Sequence, residues 1–138
     1  GGAQQPGMTG QVKEEVLTRF GELGLRVAAG ELRFDPGLLR AREFTSEPRP
    51  FRFLDVRGEW QELMVPAWGL AFTWCQVPII YHLHGEDRPT LAITLEDGGS
   101  QVLPRLSLST ELSSELFRRS GLIRQISLTF PREALLGD

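Results

Sequence analysis

Cysteine is almost absent from this chain of 138 residues, which contains only Cys75. One thiol cannot form an internal disulfide, and no spacing of cysteine and histidine indicates a zinc site. Long apolar runs are also missing, because the longest strongly apolar stretch, Val77 to Tyr81, is far shorter than the ~20 residues of a membrane-spanning helix. We therefore predict a cytoplasmic protein with no metal, no cofactor and no membrane partner.

The chain also has no excess of charge of one sign. It carries 15 basic and 18 acidic side chains, which gives a net charge of −3. A nucleic-acid-binding surface normally needs a clear excess of basic residues, so we expect no nucleic-acid partner. With 41% hydrophobic and 24% charged residues, the composition is that of a soluble globular domain able to bury its own core.

The first regular pattern in the sequence is an amphipathic helix. Thr9 is a good N-cap and Gly24 a good stop. Between them, apolar residues recur at spacings of four, four and three, which places on one helix stripe Val12, Val16, Phe20 and Leu23. The other face of the helix carries mostly charged residues. We therefore expect the apolar stripe to pack on a core while the charged face lies in water.

After Gly24 the hydrophobic period changes from 3.6 to 2, as it does where a helix is followed by a sheet. Alternating runs bounded by glycine or proline predict strands at Leu32 to Phe34, Phe51 to Val56, Trp60 to Val65, Trp68 to Cys75, Val77 to Leu83, Leu91 to Leu95, Val102 to Leu108 and Ile123 to Phe130. A capped segment from Ser109 to Arg119 predicts a short helix before the last strand. The sequence therefore predicts a mainly-β fold, an antiparallel β-sandwich with one N-terminal amphipathic helix and a short helix before the last strand.

Several short motifs follow one another in an order that is known from one enzyme group. They are Thr9-Gly10, Leu23-Gly24, the run from Gly30 to Pro36, Tyr81-His82-Leu83, and the turn from Leu95 to Gly98. In this order they resemble the end of the catalytic domain and the C-terminal β-sandwich of the cellobiose phosphorylase group and its relatives. Those proteins are inverting glycoside phosphorylases and hydrolases built on an (α/α)6 helical barrel.

The resemblance implies that the chain has two parts. Residues 1–24 would be the terminal helix of a helical catalytic domain that is otherwise missing, and residues 25–138 the C-terminal β-sandwich. The start Gly-Gly-Ala fits a segment of a longer protein, although a processed terminus or a tag remnant gives the same start. The chain would then be a non-catalytic structural module whose partner is the helical domain, and the helix stripe could also support a homodimer.

Thr9 and Gly10 are the sharpest candidates for a ligand site. A helix N-terminus offers unpaired N–H groups that suit an anion, and in the resembled phosphorylases the matching pair helps hold the attacking phosphate. The alternative is that Thr9 is only an N-cap. Glu14 and Glu15 are adjacent, so they point to different sides of the helix and do not make the facing carboxyl pair that inverting glycosidases need.

Two histidines and the cysteine are candidates for metal binding and for nucleophilic catalysis, and each also has an ordinary structural interpretation. His82 and His84 have the i, i+2 spacing that places two imidazoles on one strand face, but no third metal ligand accompanies them. We expect half-exposed strand histidines. Cys75 has no histidine partner in a hydrolase-like pattern, so we expect a small core residue and not a nucleophile.

Trp60, Trp68 and Trp74 offer a second function, because together they could form a platform for sugar rings in a stand-alone carbohydrate-binding module. The alternation of large and small residues around Trp68 and Trp74 favours the core for these two. The two functions differ in one feature. A binding module leaves aromatic side chains exposed, whereas a supporting module hides them and exposes the helix stripe.

Overall fold

Five strands form one sheet and four others form two hairpins. The computed structural model describes residues 20–84 and 88–135. Residues 20–22 are helical, and they are followed by β1 (Leu25–Ala28), β2 (Glu31–Phe34), β3 (Arg49–Leu54), β4 (Trp60–Val65), β5 (Gly69–Trp74), β6 (Val77–Leu83), β7 (Thr90–Leu95), β8 (Ser100–Leu103), α1 (Thr110–Phe117) and β9 (Ile123–Phe130). Short 3-10 helices occupy Ala41–Glu43 and Arg132–Ala134. Outside the described residues lie Thr9, Gly10, Val12, Glu14, Glu15 and Val16.

The large sheet has the strand order β5-β6-β9-β7-β8. Its strand pairs are antiparallel except for β6 and β9, which run parallel with Ile79 opposite Ile126. The pairs β1–β2 and β3–β4 form separate antiparallel hairpins. The predicted mainly-β, largely antiparallel fold is therefore confirmed, as is the short helix before the last strand.

One face of the large sheet carries the main core. Alternate residues of β6 and their β9 partners are buried there, namely Ile79, Tyr81, Leu83, Ile126, Leu128 and Phe130. The β1–β2 hairpin and α1 pack on this face, because Leu32, Phe34 and Leu116 belong to the same buried cluster. The Ser113 hydroxyl joins the two covering elements, since it accepts the Leu32 N–H at 2.9 Å and donates to the Leu108 carbonyl at 3.2 Å.

The β3–β4 hairpin lies against the opposite face. Its residues Phe53 and Val65 are buried, and so is Ile80 on the facing side of β6. The approach is close at Gly69, where a Cβ atom would lie 2.6 Å from a methyl carbon of Val65. The five-stranded sheet is therefore packed on both faces, which explains why β6 is a nearly continuous apolar run.

Two details differ from the sequence prediction. Strand β8 ends at Leu103 and does not continue to Leu108, because Pro104 has no N–H to add to a ladder. Strands β5 and β6 are joined by a tight reversal at Cys75 and Gln76, whose φ angles are 52° and 64°. Neither residue is a usual turn former, so the hydrophobic pattern did not predict a hairpin here.

The junction between the helical residues and β1 is tightly packed. Leu23 is buried, and its carbonyl accepts a hydrogen bond from the Tyr81 hydroxyl at 2.5 Å. Gly24 has a φ of +87°, and its carbonyl accepts the Asp35 N–H at 2.8 Å. A Cβ atom at Gly24 would lie 2.2 Å from the Asp35 carbonyl oxygen, so only glycine fits.

We expect Gly24→Ala to destabilise the chain much more than Gly98→Ala. The two glycines have φ angles of 87° and 90°, so alanine costs about 1–2 kcal/mol of backbone strain at either position. Only Gly24 adds a collision with backbone, because Gly98 has no other atom within 4 Å of an added Cβ. Urea unfolding should give an extra loss at Gly24 of about 1–3 kcal/mol. Equal losses would mean that the junction is not packed in this way.

Candidate functional site

Trp60 lies at the start of β4, on the outer face of the β3–β4 hairpin. It is 51% exposed, and it pairs across the hairpin with Leu54, which is also exposed. The Arg52 guanidinium lies 5.2 Å from the centre of the indole ring, within the range of a cation–π contact. An exposed indole held in this way can offer an apolar ring to a partner.

Trp68 is not a core residue, so that part of the sequence prediction is wrong. It is 40% exposed and lies before β5, in the left-handed backbone region with φ of 62°. This conformation breaks the strand alternation that placed Trp68 beside Leu70. Arg132 lies 4.6 Å from the ring centre, and the backbone is anchored by the Trp68 N–H donating to the Thr45 carbonyl.

Trp74 packs against the core, as predicted. It is half-buried, and its ring meets Phe20 edge-on at 4.8 Å. Its indole N–H is buried without a hydrogen-bond partner among the described residues. None of the ring contacts in the described part of the chain joins two tryptophans.

The two histidines lie where the sequence predicted them, at the end of β6. His82 is half-buried and His84 exposed. Burial lowers the pKa of His82, and the positive charge that His84 can carry lowers it further. Among the described residues, no three histidine, cysteine, aspartate or glutamate side chains are grouped so that they could hold a metal ion.

Cys75 occupies the first position of the β5–β6 turn. Burial raises the pKa of its thiol, although the nearby charge of Arg119 opposes this shift. A raised pKa disfavours the thiolate, which is the nucleophilic form. Cys75 is therefore poorly suited to nucleophilic catalysis, in keeping with the sequence interpretation.

A cleft of about 330 Å³ opens at one end of the large sheet, where three connections meet. These are the β3–β4 turn, the β5–β6 turn and the segment that leads into β9. The polar side chains in its lining are Asp55, Arg57, Gln61, Glu62, Gln76, Arg124 and Gln125, and apolar lining comes from Phe53, Val56 and Pro78. The volume lies at the lower end of the ~300–1,000 Å³ typical of small-molecule sites.

Asp55 organises the hairpin side of the cleft. One of its carboxylate oxygens accepts the N–H groups of Arg57 and Glu59, both at 2.9 Å, and the other accepts the Gln61 amide at 2.9 Å. Partial burial raises the pKa of Asp55, but these hydrogen bonds outweigh it and leave the pKa below its usual range. The carboxylate is therefore ionised, and both of its oxygens accept hydrogen bonds that stabilise the turn.

Gln76 and Gln125 form the opposite wall. The Gln76 amide donates to the Asp55 carbonyl at 2.8 Å, which ties the β5–β6 turn to the β3–β4 turn. The Gln125 amide donates to the Ser127 hydroxyl at 3.3 Å. Each amide group keeps its carbonyl oxygen and a second N–H for other partners. No pattern in the sequence predicts this cleft, because its walls come from segments far apart in the chain.

A scan against models of protein families gave no match to this chain, and a search of curated proteins gave none. Within residues 20–84 and 88–135, no helix has both the length and the apolar character needed to cross a membrane.

We expect the chain to lose stability as the pH falls below about 6.5, the ordinary histidine pKa. Because burial lowers the pKa of His82 in the folded state, the unfolded chain binds a proton more readily there. This stabilising contribution is complete above the unfolded pKa and is lost as the pH falls through the folded one. Urea unfolding at pH 7.5 and 5.5 measures it.

In that experiment His82→Gln should show a smaller loss than the wild-type chain, and His84→Gln serves as the matched control on the exposed neighbour. The same loss in the wild-type chain and His82→Gln would assign the pH dependence to other groups.

Proposed function

We propose that the chain is the non-catalytic C-terminal module of a carbohydrate-active enzyme, a glycoside phosphorylase or hydrolase. In this proposal residues 1–24 end a helical catalytic barrel and residues 25–138 support it. The observation that carries the proposal is the junction. Three of the motifs behind the family resemblance lie in direct contact there, and one of them, which begins at Tyr81, is far from the other two in sequence.

The contacts at the junction are specific. The carbonyl of Leu23, in the Leu-Gly pair, accepts a hydrogen bond from the hydroxyl of Tyr81, which begins the Tyr-His-Leu motif. Gly24 bonds to Asp35, near the end of the Gly30 to Pro36 run. Phe20 lies edge-on to Trp74 and near Phe72 on β5. A helix held by its last turn in this way has a fixed direction relative to the sheet, which is what a supporting module requires.

Asp55, one of the two acidic residues that line the cleft, is not free to act as an acid, which is consistent with this role. The Asp55 carboxylate is fully engaged in the hairpin turn. Glycoside cleavage with inversion needs two carboxyl groups some 6.5–9.5 Å apart across the sugar, one of them free to act as an acid. The cytoplasmic location predicted from the single cysteine belongs to the same proposal.

The decisive experiment has two stages. The DNA upstream of Gly1 should continue in frame and encode a series of amphipathic helices, and an in-frame stop immediately upstream would end the proposal. In the longer protein, Tyr81→Phe should shorten the half-life of glycoside turnover on heating while KM stays unchanged. The physical reason is that a buried Leu23 carbonyl without its partner costs about 1–3 kcal/mol.

Two controls sharpen this experiment. The purified 138-residue chain should turn over no disaccharide, with or without phosphate. Phe51→Leu changes a half-buried ring on the β3–β4 hairpin, away from the junction, and should leave the half-life of the longer protein nearly unchanged. A Tyr81→Phe variant that changes KM as strongly as it changes the half-life would place Tyr81 in a different role.

Self-association through the N-terminal stripe is a separate prediction. Phe20 and Leu23 pack on the core of their own chain, so the proposal assigns the dimer contact to Val12 and Val16, which lie outside the described residues. Sedimentation of the wild-type chain should give a two-fold dimer, and Val12→Glu with Val16→Glu should give a monomer. A wild-type monomer at all concentrations would remove the homodimer from the proposal.

Carbohydrate binding is the second candidate function. The observation in its favour is the exposure of Trp60 and Trp68, because a module that only supports a barrel has no reason to expose two indoles. The described end of the helix stripe, Phe20 and Leu23, packs on the core of its own chain, so a contact with a helical barrel would fall to Val12 and Val16, which lie outside the described residues. This candidate is tested together with the cleft below.

A further inference from the structure

We propose that the cleft between the β3–β4 turn, the β5–β6 turn and the start of β9 binds a neutral, polyhydroxylated ligand of about the size of a sugar. This inference goes beyond the supporting role, and it gives the carbohydrate-binding candidate a specific site. It rests on three independent features of the cleft: its amide groups, its charge balance and a strained turn.

The first feature is the set of three glutamine side chains. Gln61, Gln76 and Gln125 come from three separate segments and all line the cleft. Each amide is fixed through one N–H, to Asp55 in two cases and to Ser127 in the third. The groups that remain are a carbonyl acceptor and an N–H donor on each side chain. A hydroxyl group is both donor and acceptor, so a polyol matches this set well.

The second feature is the balance of charge. Two basic residues, Arg57 and Arg124, and two acidic residues, Asp55 and Glu62, belong to the lining. The balance favours neither an anion nor a cation, since a charged ligand would lose its hydration without gaining a net opposite charge. Phe53, Val56 and Pro78 supply the apolar surface on which the C–H face of a sugar ring can rest.

The third feature is the turn that carries Gln76. Both Cys75 and Gln76 have positive φ angles, a conformation that asparagine and glycine adopt at much lower cost. Backbone strain of this kind persists where the surroundings enforce it, and it is concentrated at functional sites. Here the strained turn directs the Gln76 side chain to the Asp55 carbonyl and into the cleft wall.

The test is a titration of the 15N-labelled chain followed by NMR. The probes are cellobiose as a neutral sugar, inorganic phosphate as an anion, and blocked trialanine as a neutral peptide. We expect cellobiose alone to shift the side-chain amide signals of Gln61, Gln76 and Gln125 in a saturable way. Gln125→Ala should weaken the affinity about fivefold, the change expected from one neutral hydrogen bond. Gln101→Ala, on the exposed strand β8, is the matched control and should change nothing.

A second variant separates binding from folding. Gln76→Gly removes the cleft amide and also relieves the strain, so affinity should fall while the melting temperature stays the same or rises. If Gln76 served the fold alone, the melting temperature would fall through loss of its bond to Asp55. That result, with affinity unchanged, would overturn the proposal.

The remaining outcomes are equally distinct. Shifts caused by phosphate or by the peptide, but not by cellobiose, would overturn the ligand class. Cellobiose that quenches tryptophan fluorescence without shifting the three amides would leave carbohydrate binding standing and move it to Trp60 or Trp68. No response to any probe would remove both binding proposals, whereas the supporting role is decided separately by the upstream reading frame.

Discussion

The hydrogen bond from the Tyr81 hydroxyl to the Leu23 carbonyl is the contact on which the rest of the arrangement depends. Tyr81 is the single tyrosine of the chain, it is completely buried, and its ring meets Phe72 and Phe130 edge-on at 5.2 and 5.4 Å. Burial raises the pKa of this hydroxyl, and the charge of Asp35 adds to the shift, so the group stays a donor. Through this donor the strand β6 is bonded to the residue where the helix ends. The helix terminus, the β1–β2 hairpin and the sheet therefore share one fixed point.

Much of the fold followed from local pattern. The alternation in Phe51 to Val56 and Trp60 to Val65 predicted the β3–β4 hairpin, and the capping serine Ser109 predicted α1, where its hydroxyl does accept the Leu112 N–H. Strand β1 was missed, because Leu25 to Ala28 is too short to show a period before the turn at Ala29 and Gly30. The pairing of β6 with β9 could not be predicted from the hydrophobic pattern either, since alternation identifies a strand but not its neighbour in the sheet.

The candidate site was less accessible from sequence than the fold. Trp68 was assigned to the core because the residues after it alternate regularly, but a single left-handed residue at the strand entrance reverses the direction of its side chain. The cleft is a stronger example. Gln61, Gln76 and Gln125 are unremarkable in sequence, and they become a set only when three distant connections meet at one end of the sheet. The sequence signal that was available lay at Asp55 to Gly58, a turn with a capping aspartate, and it indicates a turn without indicating what faces it.

The position of β9 also determines at what point during synthesis the large sheet can be completed. It is the last strand among residues 20–84 and 88–135, yet it lies between β6 and β7 and provides a ladder to each. While the chain is being synthesised, β6 and β7 therefore have no common neighbour, and the apolar edges that they will share with β9 remain open. The five-stranded sheet can therefore be complete only after the chain has been synthesised as far as Phe130. A central strand that pairs with partners far away in sequence raises the contact order, which slows folding and leaves strand edges unpaired for longer.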